Sequence, residues 1–428
     1  MKLALRQIIV VVAVIALAAS ASAQTLGESL KDIPVASHWI YDDLPKAVAQ
    51  ARETGKPLLV VLRCVPCPPG RSLDEQVMQP DDDLAKLEQQ FVCVRVIQTN
   101  GLDLNVFQYD YDMSWAAMFL NADMTVYGRY GSRNASGKDS DGLLTKSGFR
   151  AAVERALALH KAYPAKKGVL AAKTGKPAEY TTPTKIPGLT DKPEKANVRQ
   201  NCIHCHMVKE YAMRAKWEAD KLTGEDLWVY PMPQRIGLTL DVKDGLVVEE
   251  VREGSPAAEA GLVRGDYLVS LGGQPLVSTA DVQWVLHQAT GDARLAAVIE
   301  RGDRQHETTI VLGGDWKKSD IAWRASSWYG LRQGVKFDPL PAAERKNRGI
   351  GDQQMALVVA RLYGRGAQKM QEAGVKANDV IVAVDGQSDL TTETEFLAYL
   401  RLTHGPDDSV KFTVLRGRER KDLVVPLW

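Results

Sequence analysis

The chain repeats itself. Gly261-Leu-Val-Arg-Gly-Asp266-Tyr-Leu-Val-Ser-Leu-Gly-Gly273-Gln274 returns 113 residues later as Gly374-Val-Lys-Ala-Asn-Asp379-Val-Ile-Val-Ala-Val-Asp-Gly386-Gln387. Arg301-Gly302 and Arg416-Gly417 recur at nearly the same spacing, each between two strand-like runs. A stretch that returns with its strands and turns intact marks a duplicated domain. Two such units fill the C-terminal part. At 428 residues the chain is also too long for one core, so what precedes the repeats must fold separately.

From Trp39 to Tyr163 the pattern alternates helix and strand. Asp42 and Asp43 can cap a helix running through Ala47 to Arg52, which Gly55 and Pro57 end. Leu58 to Leu62 is a continuous apolar run, as expected of a strand buried on both faces. Leu84 and Leu87 belong to another helix. Phe91 to Ile97 reads as a second buried strand and Ala116 to Leu120 as a third, with Thr125 to Tyr130 closing a hairpin around Asn121-Ala122-Asp123. Leu143 to His160 has the spacing of a closing helix. The arrangement fits an open α/β sheet. Residues 164–195 are rich in Lys, Pro, Thr and Gly without a period, which is linker composition. The expected fold is multidomain α+β: an α/β domain over 39–163, a linker over 164–195, a short segment over 196–233, and the repeats over 234–314 and 322–428.

Lys2 and Arg6 precede an apolar run from Ile8 to Ala18, and Ala21-Ser22-Ala23 is a small-residue cleavage site before Gln24. Residues 1–23 therefore read as a signal peptide. The expectation is a periplasmic or otherwise exported protein, soluble once that segment is removed and without a membrane span in the mature chain. Lysine plus arginine (54) nearly cancel aspartate plus glutamate (53), and no basic stripe appears, so nucleic acid is not an expected partner.

Five cysteines in an exported chain carry chemistry. Four form two Cys-x-x-Cys pairs, Cys64/Cys67 and Cys202/Cys205, and Cys93 is left over. In Cys202-Ile203-His204-Cys205-His206 two thiols are spaced to add to both vinyl groups of one haem, and His206 is placed to ligate the iron. The expected cofactor is haem c, and 196–233 is its binding segment. A simple disulfide, or half of a zinc site using His204 or His206, stays open. Met232, held between Pro231 and Pro233, is the candidate sixth ligand. Met213 and His160 are further candidates, and a core or interdomain methionine is the plain alternative.

Gly55-Lys56-Pro57-Leu58-Leu59-Val60-Val61-Leu62 followed by Cys64-Val65-Pro66-Cys67 resembles the thioredoxin fold over about 120 residues. That resemblance implies a redox pair at a helix start, where the dipole lowers the first thiol's pKa, with Cys64 as nucleophile and Cys67 as resolving thiol. Pro66 matches the family. Pro68-Pro69 directly after the pair departs from it, as does Ser114-Trp115 where the family has a cis-proline. A disulfide that staples the loop is the other reading of the pair. Cys93, in a strand, reads as a core thiol.

The repeats resemble bacterial PDZ domains, expected as small β-barrels. Ile236-Gly237-Leu238-Thr239 looks like the turn that captures a peptide carboxylate, Gly254-Ser255-Pro256-Ala257-Ala258 leads into the repeated motif, and Val282 to Leu286 suits the groove-lining helix. The second turn, near Gly334-Val335-Lys336-Phe337, is more divergent. One or both copies could instead serve as interdomain packing units. No Gly-x-Ser-x-Gly motif occurs and no chymotrypsin-like domain fits ahead of the repeats, so a protease is not expected.

The full order resembles exported bacterial thioredoxin/PDZ proteins, some of which carry selenocysteine in the thioredoxin pair. Here both positions are cysteine. Two functions fit. One is a periplasmic redox or electron-transfer protein, a candidate thiol–disulfide oxidoreductase whose PDZ domains recruit a protein or peptide C-terminus and whose haem serves an electron-transfer partner. The other is a non-enzymatic peptide-binding adaptor in which haem and disulfide are structural or sensory.

Overall fold

The computed structural model describes residues 26–65, 67–78, 81–132, 144–193, 201–328, 334–364 and 367–427. The signal segment 1–23, Gln24, Pro66, Leu143 and residues 196–200 lie outside them. Residues 26–37, with one short helix at Leu26–Leu30, form a unit apart from the residues from His38 onward. Among the described residues no helix is long and apolar enough to cross a membrane.

The first domain is a five-stranded sheet in the order β1-β3-β2-β4-β5, built from Ile40–Tyr41 (β1), Leu58–Arg63 (β2), Val92–Val96 (β3), Trp115–Leu120 (β4) and Val126–Ser132 (β5). β1, β3 and β2 run parallel, whereas β4 and β5 are antiparallel. Every residue of β2, β3 and β4 is buried, as the apolar runs require. Asp43 caps the helix Leu44–Thr54 through the Lys46 N–H, and left-handed Gly55 ends it. The closing helix is Lys146–Lys161, capped by Thr145.

The segment read as a linker is packed. Leu170, Ile186 and Leu189 are buried, and Lys173 is fully buried with its ammonium 2.7 Å from Asp281. Composition misleads here because these few apolar residues are spaced by short turns rather than by a helical or strand period.

The repeats are alike in detail. In the first, Arg301 grips Asp266 at 2.7 and 2.8 Å and donates to Gly261 C=O, while Asp266 accepts the Val263 N–H. In the second, Arg416 grips Asp379 at 2.8 Å twice and donates to Gly374 C=O, while Asp379 accepts the Lys376 N–H. The duplicated motif thus encodes one buried carboxylate that ties a turn to the far hairpin. Gly237 and Gly334 occupy equivalent positive-φ turns. A Cβ would lie 2.0 Å from the Ser255 hydroxyl at the first and 2.0 Å from Tyr363 C=O at the second.

The expected β-barrels are open sheets. The first repeat has Leu238–Leu240 (β6) with Val248–Val251 (β7), and a separate sheet β11-β10-β8-β9 from Tyr267–Leu271 (β8), Gln274–Pro275 (β9), Ala293–Arg301 (β10) and Arg304–Leu312 (β11). The second is one sheet in chain order: Val335–Pro339 (β12), Leu357–Leu362 (β13), Val380–Val384 (β14), Ser409–Arg416 (β15) and Glu419–Pro426 (β16). Closure fails because the outermost strands do not pair. The helix Thr279–Gln288 and the helix Glu393–Thr403 each contribute side chains to their repeat's apolar core instead.

Candidate active site: two facing cysteine pairs

β2 delivers Cys64 to the end of the sheet. The loop turns back with Cys67 N–H donating to Cys64 C=O at 3.3 Å. Cys67 is extended (φ −89°, ψ 105°) and is the N-cap of the helix Pro68–Val77. The two prolines therefore do not break the helix; they start it, where no N–H is needed. Beneath the loop, Asp74 accepts from Arg95 at 2.6 Å and from the Trp115 indole at 3.0 Å, with Arg63 3.4 Å away, all buried. Those charges anchor the strand end and the helix to each other.

The second pair is docked onto the same sheet end. Ile203 is fully buried. Its N–H donates to the Asn100 side chain at 2.8 Å, and its C=O accepts from the Thr99 N–H at 3.0 Å and hydroxyl at 2.9 Å. Asn100 also donates to Asn201 C=O at 2.9 Å. The loop after β3 thus holds Cys202-Ile203 much as a neighbouring strand would. Cys205 opens the helix Cys205–Glu218, packs on the first domain's core and accepts the Tyr109 hydroxyl at 3.3 Å.

The two motifs meet. Cys64 Sγ lies 2.5 Å from His204 Nδ1, and Cys202 Sγ lies 4.0 Å from the same nitrogen. Burial pushes the Cys64 thiol well above its ordinary pKa, and Cys205, Cys202 and Cys67 add to the shift in that order. Cys202 rises to about 12 through burial and then Cys205. Cys205 rises to about 11 through burial, opposed by the Tyr109 hydrogen bond. Burial holds His204 and His206 below the usual imidazole value, with His206 a further cause for His204. Their rings are parallel at 5.8 Å. Cys64 Sγ and His204 Nδ1 form one sulfur–imidazole contact in which the tautomer of the ring sets donor and acceptor. The thioredoxin resemblance implied a lowered Cys64 pKa; here burial and the neighbouring thiols push it up, and the helix N-cap is Cys67 rather than Cys64.

Cys93 is a core thiol as expected, 1% exposed and donating to Glu88 C=O at 3.4 Å. Met232 accepts from the Gln283 side chain at 3.2 Å, Met213 lies in the second repeat's core, and His160 bonds the Tyr127 hydroxyl at 2.9 Å. Each of these three candidate sixth ligands has protein neighbours of its own. Cys202 faces Ile97 C=O at 3.8 Å, Cys205 faces Tyr109, and the cavity of about 450 Å³ beyond Tyr109 is lined by none of Cys202, Cys205 and His206. His204 stood in the sequence motif; Tyr109, Thr99 and Asn100 left no signal there.

Other parts of the chain pack against the helix of each PDZ copy. Ile236 and Leu238 are buried, and the Gly237 N–H already donates to Gln234 C=O at 3.1 Å. The helix Thr279–Gln288 is buried from Ala280 to Leu286. Its Gln283 holds Tyr230 C=O, its His287 stacks on the Tyr230 ring at 4.2 Å, and Tyr130, Gly131 and Leu144 close in over Ala280 and Gln283, leaving about 60 Å³. In the second repeat, Trp217 and Met213 from the helix Cys205–Glu218 join Phe337, Phe396, Leu397 and Leu400. The Trp217 indole donates to His404 C=O at 2.5 Å, and Arg401 lies over its ring at 4.9 Å. Ile236 and Gly237 form the turn before β6, and Leu238 and Thr239 are its first two residues.

Comparison with known families agrees with this architecture. Residues 39–122 match a thioredoxin-like family, and residues 247–301 and 367–427 each match a PDZ domain family. The chain joins a thioredoxin-like domain to two PDZ domains. It is 25% identical over 181 residues to a DegP-like protein of Pseudomonas savastanoi pv. phaseolicola named as a periplasmic serine endoprotease, covering 41% of this chain and 36% of that one. A Pseudomonas putida protein of the same description is 37% identical over 114 residues, covering 25% and 24%. The chain thus spans about a third or less of these relatives' own length. Among solved structures, an HtrA-type protease AlgW bound to a decapeptide is similar at 16% identity and TM-score 0.21, over 33% of this chain and 50% of that one. A Yersinia pestis serine endoprotease reaches 23% identity and TM-score 0.17, over 18% and 28%.

Proposed function

We propose that the protein is an exported thiol–disulfide exchange protein, in which the Cys64/Cys67 dithiol of the thioredoxin-like domain passes a disulfide to or from Cys202/Cys205. One observation carries this reading: two Cys-x-x-Cys pairs far apart in sequence converge on one imidazole, His204, 2.5 Å from Cys64. A lone dithiol could be a staple. Two facing dithiols with a shared proton acceptor can exchange electrons in pairs, because a thiolate formed in one attacks a disulfide in the other.

His204 Nδ1 takes the Cys64 proton as the thiolate forms, which offsets the desolvation that otherwise keeps the thiol neutral. The thiolate attacks the partner disulfide, and Cys67 then displaces that partner from Cys64. The Cys64/Cys67 pair ends oxidised and the partner ends reduced by two electrons and two protons. The PDZ domains hold the second pair over the first, through Trp217 and Met213 in one copy. PDZ domains are a class that captures extended peptides and C-termini, so a protein partner that opens a groove is the natural substrate carrier. The export signal in residues 1–23, the oxidising chemistry and the periplasmic relatives support an extracytoplasmic setting. Hydrolysis belongs to those relatives, and this chain's N-terminal domain is of another kind.

The test is exchange of a fluorescent peptide disulfide by the purified chain. Cys64→Ser is expected to abolish turnover and Cys93→Ser to leave it unchanged. Full turnover by Cys64→Ser would make the protein an adaptor instead. The haem c reading is the rival, carried by the Cys202–His206 pentapeptide. It predicts a c-type pyridine haemochrome band that survives denaturation, in protein made in a host that matures such cytochromes. The exchange reading predicts no such band and four titratable thiols across the two pairs.

A further inference from the structure

We propose that the cavity of about 450 Å³ beyond Tyr109 is a binding site for a small planar aromatic anion, of the aromatic carboxylate class. Its volume falls in the range of roughly 300–1,000 Å³ usual for small-molecule sites. Three parts of the chain build it. The segment between β3 and β4 gives Tyr109 and Tyr111, the helix Cys205–Glu218 gives Lys209, and the helix Thr279–Gln288 gives Trp284 and His287. Tyr180 and Tyr230 add to this aromatic lining. Ring centroids of Tyr109 and Tyr111 are 4.2 Å apart, as are those of Tyr230 and His287. The polar ends of three of these rings are already engaged. The Tyr109 hydroxyl donates to Cys205 at 3.3 Å, the Tyr111 hydroxyl to Phe107 C=O at 2.7 Å, and the Trp284 indole to Ala172 C=O at 3.3 Å. What they leave for a guest is apolar ring surface, which another aromatic ring meets stacked or edge-on.

The sign of the guest's charge follows from the ion pairs in the lining. Its carboxylates are engaged: Asp110 with Arg324 at 2.7 Å, Glu225 with Lys317 at 2.6 Å, and Asp226 and Glu179 with Lys216 at 2.5 and 3.8 Å. Two lining lysines are not. Among the described residues neither Lys176 nor Lys209 forms an ion pair, and the Lys209 ammonium donates to a neutral partner, Asp226 C=O, at 2.5 Å. Burial lowers the Lys209 pKa to about 8, the direction expected of a cation short of a countercharge. His287 Nδ1 is buried without a hydrogen-bond partner, a second polar group that the protein itself leaves unsatisfied. The unpaired charges of the lining are thus positive, and one carboxylate on an aromatic ring matches both the charge and the walls. Tyr109 both lines the cavity and holds Cys205, so the guest sits one ring away from the second thiol pair. The site stands independently of the exchange reading.

The experiment is calorimetric titration of the full chain with 2-naphthoate. The neutral 2-naphthalenemethanol and the non-aromatic cyclohexanecarboxylate serve as controls. 2-Naphthoate is expected to bind with a dissociation constant below about 1 mM, and each control at least about tenfold more weakly. Lys209→Met keeps the apolar stem and removes the charge, and is expected to weaken 2-naphthoate at least about tenfold. Lys176 is exposed, so Lys176→Met guards against a Lys209 variant that fails to fold. Its expected loss is about threefold, as for a charge near solvent. Absence of 2-naphthoate binding would overturn the proposal. So would either control binding as tightly, which would remove the anion or the aromatic ring from the assignment. Unchanged affinity in both lysine variants would place the ligand elsewhere on the protein and overturn it as well.

Discussion

Cys64 Sγ lies 2.5 Å from His204 Nδ1, although 140 positions separate them in the chain. Removing that acceptor is expected to slow exchange. His204→Ala should lower the single-turnover rate by about 100-fold, the usual contribution of a positioned base. Stopped-flow fluorescence with a peptide disulfide checks it. A rate within about threefold of the parent would mean that the imidazole only packs against the thiol.

The thiols also set a pH dependence. In the folded protein Cys205 and Cys202 are held at about 11 and 12, above the roughly 8.5 of an unfolded cysteine. Between those values the unfolded chain binds fewer protons than the folded one, so stability falls as pH rises. The thiol contribution is fully present below about pH 8 and is lost progressively toward pH 12. His204 and His206 act at the other end. Their folded pKa values are depressed, so their contribution is present above about 6.5 and is lost as pH falls through it. Denaturant midpoints of the reduced protein measured from pH 5 to pH 10 should peak near neutrality, with the alkaline decline absent after Cys64, Cys67, Cys202 and Cys205 are all changed to Ser.

Asp281 is fully buried in the first PDZ domain, 2.7 Å from Lys173 and 3.6 Å from Arg129 of β5, and it accepts the Arg129 N–H at 3.2 Å. Arg129 also lies 3.9 Å over Trp284. Asp281→Ala leaves two buried cations without their carboxylate and should cost about 3–5 kcal/mol. Urea unfolding would show it. Hydrogen exchange should locate the loosening at β5 and the helix Thr279–Gln288, whereas a uniform loss across all domains would argue against a local joint.

Trp217 ties the second thiol pair to the second PDZ domain. Trp217→Ala removes a buried indole and its hydrogen bond to His404 C=O, at about 3–5 kcal/mol by the usual cost of such truncations. The helix it leaves behind begins at Cys205, so Cys64 should become more accessible and alkylate faster. Timed iodoacetamide labelling followed by peptide mapping distinguishes this from a stability loss that leaves Cys64 labelling unchanged.

Much of the architecture was legible because its signals are local. The apolar run Leu58–Leu62 reads as a buried strand, and Asp266 and Asp379 recur with Arg301 and Arg416 because each copy needs the same arginine on its buried carboxylate. The helix after Cys67 was harder to read. Pro68 and Pro69 look like breakers until Cys67 is placed as the cap, after which they are ordinary first-turn residues. Residues 164–195 misled because linker composition says nothing about whether Lys173 will find a buried carboxylate.

The candidate site divides along the same line. The sequence alone determined that four thiols stand in two Cys-x-x-Cys pairs, that one pair follows a buried strand, and that histidines flank Cys205; these are properties of neighbours in the chain. It left open whether Cys202 and Cys205 face a cofactor, each other or Cys64. It left equally open whether the PDZ grooves face solvent or other parts of the chain. Those outcomes depend on contacts between segments far apart in sequence: Thr99 and Asn100 holding Ile203, Tyr109 reaching Cys205, and Trp217 joining the second repeat's core. No periodicity or spacing encodes such contacts, because each is fixed only when separate cores pack and bring their surfaces together.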